Sequence, residues 1–253
     1  MRRVSYRVKH RRKQPESAPA PPDGRSERWN SHRTRRRAEL VEAAMRALAR
    51  LGPEIGMDDV AREAGVTKPV LYRHFTDKAD LFVALGERGT EILFERLIPA
   101  INREEAPVPR IRKALDAVFT TFEENTNLYW ALVNRSFGGR TVDVNVIDQD
   151  KHAIATALTA LLGDYMRAFN LDSGAAEPWS YGLVGMVQNT VEWWLERRSM
   201  SRDSVVEYLT QIIWASIEGI ARANGVTIDP SKPLELNKVV RLKETDAGKT
   251  QAS

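Results

Sequence analysis

The amino-acid sequence predicts an all-α protein. From about residue 34 onward, apolar residues recur at the three- and four-residue spacing of one face of an α-helix. No stretch alternates apolar and polar residues for long, as a half-buried β-strand would. Glycine, proline and capping residues interrupt the pattern where helices are expected to begin and end. These three observations predict a chain of helices without a sheet.

Each predicted helix is placed by its apolar spacing and by the residues at its ends. Ser, Thr and Asp suit N-caps, whereas glycine and proline suit helix ends. The expected caps are Thr34, Thr67, Thr76 or Asp77, and Ser201, and the expected stops include Gly52-Pro53, Pro99, Gly138-Gly139 and Gly225. The resulting helices are Thr34–Leu51, Met57–Ala64, Thr67–Phe75, Lys78–Ile98, Arg110–Asn125, Leu128–Phe137, Asp148–Asn170, Pro178–Arg198 and Arg202–Asn224.

Composition excludes several classes of protein. With 253 residues, 42% hydrophobic and 28% charged, the chain is long enough to bury a core. Cysteine is absent, which excludes disulfides, thiolate metal sites and cysteine nucleophiles. The 4 histidines stand at no metal-ligand spacing, so we expect no metal site, and no motif indicates a cofactor. The apolar runs are too short to span a membrane, and no membrane is among the partners expected for the folded domains.

Positive charge is concentrated at the start of the chain. Residues 1–37 carry a net charge of about +10 and the remainder about −6. Localised positive charge indicates a polyanionic partner, either nucleic acid or an anionic membrane surface. Residues 1–30 are expected to be a disordered basic arm that contacts DNA, only solubilises the chain, or reflects a misassigned start codon. This arm has no apolar core of a secretory signal, so we expect a cytoplasmic protein. A second disordered segment is expected at 229–253.

The segment Asp58–Phe75 carries the most informative motif. Gly65 permits a positive φ, so the chain can reverse within a few residues, and Val66 fills the space between two helices. Leu71 and Phe75 lie one helical turn apart and are expected to pack inward. The outward side chains are Lys68, Val70, Tyr72, Arg73 and His74. This pattern predicts a helix-turn-helix whose second helix presents a base-reading surface. The alternative is a helical hairpin with a charged, solvated face.

The segment resembles the DNA-binding domain of TetR-type transcriptional regulators. Their fingerprint is Ala-x-x-x-Gly-Val-[Ser/Thr]-x-x-x-[Leu/Phe]-Tyr-x-[His/Tyr]-Phe-x-x-Lys. The matching residues are Ala61, Gly65, Val66, Thr67, Leu71, Tyr72, His74, Phe75 and Lys78. The strong match covers residues 34–85, and Gly56 departs from the Ser or Thr that usually caps the second helix. The resemblance implies a three-helix DNA-binding domain at 31–78 and an all-helical effector-binding and dimerisation domain at 79–228.

The resemblance also implies DNA-binding roles by position. Lys68, Pro69 and Val70 would meet base edges, because lysine donates to guanine and apolar side chains touch thymine methyl groups. Phosphate contacts are implied for Thr67, Tyr72, His74 and Lys78, and Arg73 would contact either bases or phosphates. Arg35, Arg36 and Arg37 would add phosphate or minor-groove contacts. A recognition helix this short needs two half-sites, which implies a homodimer on a palindromic operator in double-stranded DNA.

The last two predicted helices carry apolar residues on more than one face, which indicates burial on more than one side. In the family, these helices pair with their symmetry mates in a four-helix dimer interface. The residues expected there are Gly182, Gly185, Trp194, Tyr208, Ile212 and Ile213. The alternative is one larger core within a single chain.

Members of the family bind a small effector among the inner helices. The residues expected to line this pocket are Phe119, Phe122, Tyr129, Trp130, Val133, Phe137, Met186, Asn189 and Trp193. The set is aromatic and nearly uncharged, with Asn189 as a polar anchor, and it suits a long apolar ligand. Two stretches, Lys68–Tyr72 and Tyr181–Met186, resemble a subgroup that controls fatty-acid synthesis and responds to long-chain acyl-CoA. Aromatic sets equally suit the cationic drugs of efflux regulators, or simply form core.

The expected function is that of a ligand-responsive, sequence-specific repressor. No enzyme signature is present, since the chain has no Gly-x-Ser-x-Gly motif, P-loop or dinucleotide fingerprint, and we expect no catalytic residues. The alternative from another class is a non-specific architectural DNA-binding protein, which would bind with a steep salt dependence and no preferred sequence.

Overall fold

The computed structural model describes residues 24–133 and 145–234, and over these residues the chain is helical without a β-strand. The all-α fold class predicted from the sequence is confirmed. The helices are α1 (Gly24–Leu51), α2 (Met57–Glu63), α3 (Lys68–Tyr72), α4 (Lys78–Ile101), α5 (Pro107–Glu124), α6 (Thr126–Val133), α7 (Asn145–Ala168), α8 (Ala176–Arg197) and α9 (Arg202–Ala223). A short 3₁₀ helix, Ser173–Ala175, precedes α8.

Helix α1 is longer than the sequence predicts. It begins at Gly24, so Thr34 is an exposed residue inside the helix and the prediction of an N-cap there is wrong. The arginines around Thr34 are compatible with a helix, and a threonine within such a stretch resembles a cap in sequence. Residues 24–30 of the expected arm are therefore helical, and residues 1–23 lie outside the described residues. The chain divides into two units between Ala38 and Glu39, and α1 runs through this division.

Helix α4 also exceeds its predicted length, because it continues through Pro99 to Ile101. A proline removes one backbone hydrogen bond and its ring crowds the preceding turn. Since Pro99 lies in the last turn of α4, its effect is confined to that turn, and the helix ends at Ile101 with Asn102 as its C-cap. The expected stop of α6 at Gly138-Gly139 lies outside the described residues.

Side-chain hydrogen bonds confirm the predicted N-caps of α4 and α9, and a left-handed glycine follows α9 as predicted. The Asp77 carboxylate accepts a hydrogen bond from the Asp80 backbone N–H at 2.9 Å, which caps α4. The Ser201 hydroxyl accepts from the Ser204 backbone N–H at 3.1 Å at the start of α9. Beyond α9, Gly225 has a φ of +73°, the left-handed conformation that ends many helices.

A first hydrophobic core lies among helices α1 to α4. Leu48, Leu71, Phe75 and Phe82 are each at most 1% exposed in this core. Two further members, Leu128 and Ala131, come from α6, far along the chain. The Asn127 side-chain amide, at the start of α6, also donates to the Leu48 carbonyl at 2.9 Å. Helix α6 is thus fastened to the helix-turn-helix core by packing and by a hydrogen bond.

A second hydrophobic core is built mainly by α5, α8 and α9. Phe119 and Trp194 meet edge to face at its centre, with ring centroids 5.6 Å apart. Tyr129 of α6 belongs to this core, although its neighbour Leu128 belongs to the first. Helix α6 therefore contributes side chains to both cores.

Within the two described ranges, no helix combines the length and the apolar composition that crossing a membrane requires.

Candidate nucleic-acid interface

The turn between α2 and α3 has the geometry that the helix-turn-helix motif predicts. Gly65 has a φ of +65°, and the Val66 backbone N–H donates to the Ala61 carbonyl at 3.0 Å, which closes the turn. A Cβ at Gly65 would meet no heavy atom within 4 Å. Glycine is therefore favoured here by the backbone dihedral, not by a lack of space.

Helix α3 is anchored from one side. Leu71 and Phe75 are both 0% exposed in the first core. Thr67 is the N-cap as expected, and its carbonyl accepts from the Val70 backbone N–H at 2.9 Å, while its hydroxyl makes no capping hydrogen bond. The helix is shorter than predicted, because it ends at Tyr72.

The other side of the motif faces solvent. Thr67, Lys68, Pro69, Tyr72 and Arg73 are exposed, and Val70, His74 and Lys78 are half-buried. Tyr72 is 44% exposed, which packing within the chain does not explain. The residues predicted to contact DNA from α3 and its flanks thus form one accessible surface above a buried anchor.

The three arginines expected to add DNA contacts lie in α1, within the unit that ends at Ala38. Arg35 is exposed, whereas Arg36 and Arg37 are half-buried. They therefore lie inside a helix, not ahead of its first residue as the sequence suggests.

Asp58 contacts the recognition helix α3 electrostatically, although the sequence did not single it out. The Lys68 Nζ lies 2.9 Å from Asp58 Oδ2, and this hydrogen bond raises the pKa of the Lys68 ammonium above its ordinary value. Asp58 stands ten positions before Lys68, so no local pattern links them. The fold brings them together, because the first turns of α2 and α3 approach each other in this structure. Lys78 lies over the Phe82 ring at 5.3 Å, and burial lowers its pKa.

The predicted effector residues fall partly into one aromatic group in the second core. Phe122 and Tyr129 meet edge to face at 5.5 Å, and Tyr129 and Trp130 meet at 5.0 Å between ring centroids. Phe119 and Tyr129 are buried there, while Phe122, Trp130, Met186 and Trp193 are half-buried. We refer to these six residues as the aromatic cluster. Burial raises the pKa of Tyr129 to about 12, and the nearby carboxylates of Glu192 and Glu196 add to the rise.

Two of the predicted effector residues that the structure describes, Asn189 and Val133, are not members of the aromatic cluster. Asn189 is exposed, and its role as a polar anchor stays a prediction. At about 3.6 residues per turn, Asn189 lies on the opposite side of α8 from the buried Ser180 and Trp194. Val133 is 37% exposed at the end of α6, and Phe137 lies outside the described residues.

The predicted dimer residues separate into two groups. Trp194 and Ile213 are only 2% and 7% exposed and pack in the second core, so little of either side chain is accessible to a second copy. Tyr208 and Ile212 are 60% and 53% exposed on α9. On α8, a Cβ at Gly182 or at Gly185 would meet no heavy atom within 4 Å. We refer to these last four residues, which are exposed or have space above them in the single chain, as the open face of α8 and α9.

Across the residues that the structure describes, no group of three or more histidine and carboxylate side chains is arranged to hold a metal ion.

Comparison with known families identifies the chain. The profile of bacterial regulatory proteins of the tetR family matches residues 40–85. A second profile, the C-terminal domain described as Tetracyclin repressor-like, matches residues 96–227. Together they cover more than half of the chain. The protein belongs to the TetR family.

Similar TetR-family proteins occur in mycobacteria. The chain is 34% identical over 204 residues to the uncharacterized HTH-type transcriptional regulator Rv0472c of Mycobacterium tuberculosis, a match that covers 80% of this chain and 86% of that protein. It is 29% identical over 202 residues to the HTH-type transcriptional activator FasR of Mycolicibacterium smegmatis, covering 79% of this chain and 91% of FasR. As a TetR-family member, the protein is a DNA-binding transcriptional regulator and not an enzyme.

Solved structures share the TetR fold at low identity. A tetR-family transcriptional regulator from Streptomyces coelicolor superposes with a TM-score of 0.59 at 20% identity, covering 76% of this chain and 83% of that chain. The regulator FadR from Bacillus subtilis, solved in complex with stearoyl-CoA, gives a TM-score of 0.54 at 15% identity, covering 70% of this chain and 96% of that chain. At these identities the likeness concerns the fold.

Proposed function

We propose that this TetR-family regulator reads a specific operator with Lys68, Pro69 and Val70. The main support for this proposal is that α3 has an accessible side, while Leu71 and Phe75 on its other side are both 0% exposed. A buried anchor holds the outward side chains in a fixed register against the major groove. Phosphate contacts would come from Thr67, Tyr72, His74, Lys78, Arg35, Arg36 and Arg37, and Arg73 would contact either bases or phosphates.

The proposed functional form is a homodimer on a palindromic operator. Helix α3 spans only Lys68–Tyr72, which is too short to specify a site alone. The open face supplies a surface for a second copy, because Tyr208 and Ile212 are large, apolar and exposed. Gly182 and Gly185 have space above them, so a partner helix can approach the backbone closely.

The proposed effector is a long apolar molecule such as a long-chain acyl-CoA or fatty acid. The aromatic cluster supports this proposal, and so does the resemblance of Lys68–Tyr72 and Tyr181–Met186 to acyl-CoA-responsive regulators. The stearoyl-CoA in Bacillus subtilis FadR is consistent with the same ligand class in this fold. Such a ligand changes the affinity of the protein for DNA only if it binds two conformations of the dimer with different affinities, one that fits the operator and one that does not. The change cannot exceed that difference in ligand affinity.

A second candidate effector is a cationic aromatic molecule. Glu192 and Glu196 act on the Tyr129 hydroxyl electrostatically. A carboxylate beside aromatic rings favours a positive charge, because both the anion and the faces of the rings attract cations. This feature favours the type of ligand that efflux regulators sense.

The proposed outcome of operator binding is repression, because a dimer on its operator excludes other proteins from the same DNA. The relative FasR is named as an activator. A transcription assay on the selected operator decides between the two: a lower transcript yield with added protein supports repression, and a higher yield contradicts it.

Base reading is tested with an operator selected from a random duplex library by the full-length protein. Lys68→Gln is expected to lose roughly tenfold or more in affinity for this operator and to relax the preference at the contacted base pair. Tyr72→Phe is the matched control, since loss of a phosphate contact weakens binding to operator and scrambled DNA alike. Equilibrium fluorescence anisotropy measures both. A uniform loss for Lys68→Gln, or failure to select any sequence, would contradict the proposal.

The effector is tested by native mass spectrometry of freshly purified protein. We expect a dimer that carries, or takes up from added stearoyl-CoA, the mass of a long-chain ligand. Additional mass that matches an aromatic cation would favour the second candidate. A dimer that stays bare in excess stearoyl-CoA would contradict the acyl ligand and leave the DNA-binding proposal intact.

A further inference from the structure

Lys68, the first residue of the recognition helix α3, already has a partner on its own chain. Its Nζ lies 2.9 Å from Asp58 Oδ2, and the two side chains are 46% and 67% exposed. The pair therefore lies on the accessible surface of α3, not within the core. Before any DNA arrives, the ammonium that would donate to a base is bound to a carboxylate.

Asp58 lies in the first turn of α2, where its charge is favourable at the helix N-terminus, but it is not the residue that completes the capping box. Its neighbour Asp59 caps α2, since Asp59 Oδ2 accepts from the Gly56 backbone N–H at 2.9 Å. Asp59 also pairs with Arg62 at 3.2 Å. In the described part of the chain, Asp58 makes its hydrogen bond and ion pair with Lys68. An exposed carboxylate on a surface that meets a polyanion is unfavourable for binding, and a first-turn position at this exposure stabilises the helix only modestly.

We propose that Asp58 is a specificity-determining residue that holds Lys68 until a base acceptor of the correct sequence replaces it. This inference rests on the proposed base-reading role of Lys68. Phosphates attract a lysine ammonium at every sequence, and this attraction supplies most non-specific affinity. Asp58 competes with those phosphates for Lys68 and repels them with its own charge. A guanine offers two acceptors, O6 and N7, which can replace the Asp58 carboxylate that Lys68 leaves. Most sequences do not place such a pair of acceptors opposite Lys68.

The exposure of the pair sets the size of the effect. Exposed ion pairs are weak and screened by salt, so the ammonium can leave Asp58 when a better acceptor is present. The same weakness limits the discrimination to several-fold. We therefore expect Asp58 to tune the ratio of operator to random-sequence affinity, not to decide whether the protein binds DNA.

The test compares the full-length wild type, Asp58→Asn and Glu54→Gln on the selected operator and on a scrambled duplex. Asp58→Asn is expected to raise affinity for the scrambled duplex roughly three- to tenfold and affinity for the operator less. The ratio of the two affinities would then fall about threefold. The scrambled duplex should also show a steeper salt dependence, because Lys68 becomes available to phosphates.

Glu54→Gln is the matched control, because Glu54 is another exposed carboxylate of the same domain and does not pair with Lys68. Removing its charge is expected to raise both affinities slightly and equally. In a Lys68→Gln background, Asp58→Asn should behave like Glu54→Gln, since the pair no longer exists. Circular dichroism on heating checks that each variant folds, which we expect because Asp59 remains to cap α2.

Two results would overturn the inference. If Asp58→Asn raises both affinities equally, as Glu54→Gln does, Asp58 acts only as a general negative charge. If Asp58→Asn weakens operator binding and spares the scrambled duplex, Asp58 itself contacts a base, such as a cytosine amino group. Failure of the proposed function is distinct, because then no sequence is selected or Lys68→Gln loses affinity uniformly.

Discussion

Replacing Trp194 with alanine is expected to lower the free energy of unfolding by about 3–5 kcal/mol. The indole is 2% exposed, and its ring meets Phe119 edge to face. Its Nε1–H donates to the Met200 carbonyl at 2.9 Å. The substitution leaves a cavity between α5 and α8 and removes the partner of that carbonyl. Urea unfolding at one fixed protein concentration measures the loss, since dimerisation contributes to apparent stability.

Tyr72→Ala is the control for this prediction. Tyr72 is an aromatic residue that is 44% exposed, so its truncation should change the free energy of unfolding by about 0.5 kcal/mol or less. A Trp194→Ala protein that keeps its stability but becomes monomeric would contradict the core assignment. It would support the dimer role expected from the sequence.

Replacing Ile212 with aspartate is expected to dissociate the homodimer, raising its dissociation constant roughly a hundredfold or more. Ile212 is 53% exposed in the single chain, so the charge is tolerated there and the monomer should fold. Within the proposed interface, however, the same carboxylate would be buried without a partner. Sedimentation velocity over a range of concentrations measures the association, and operator binding should weaken in parallel because two half-sites are no longer joined.

Ile98→Asp is the matched control for the dimer. Ile98 is 51% exposed, so it has the same chemistry and nearly the same exposure as Ile212, but it belongs to α4 and not to α8 or α9. We expect it to leave the dimer intact. If Ile98→Asp dissociates the protein and Ile212→Asp does not, the two copies associate through another surface.

The helix-turn-helix was predictable because each of its parts has a local chemical signal. Gly65 permits the left-handed turn, Thr67 caps the helix that follows, and Leu71 and Phe75 lie one turn apart on its buried side. All of these signals fall within one short segment and agree with one another. Once Leu71 and Phe75 define the buried side of α3, the helical repeat leaves Lys68 and Tyr72 exposed.

The open face and the effector residues were harder to predict, because periodicity does not say what covers an apolar face. Helices α8 and α9 are apolar on more than one side, and Trp194 and Ile213 look as suitable for a partner as Tyr208 and Ile212 do. Only the packing of α5 against α9 decides that Ile213 faces inward. The position of Asn189 was hard to predict for a related reason, since its place on the far side of α8 depends on which face of the helix packs in the core.

Helix α6 limits how far the two functions of this regulator can be exchanged with those of its relatives. The segment that matches the tetR profile ends at residue 85, but its core is completed by Leu128 and Ala131. A hybrid protein joined at that boundary would contain the DNA-binding segment but lack Leu128 and Ala131, the two side chains that complete its hydrophobic core. Tyr129, between them, belongs to the other core. Evolution and engineering thus meet the same constraint: α6 must remain compatible with both halves, and residues 127–131 would have to be transferred together with the DNA-binding segment.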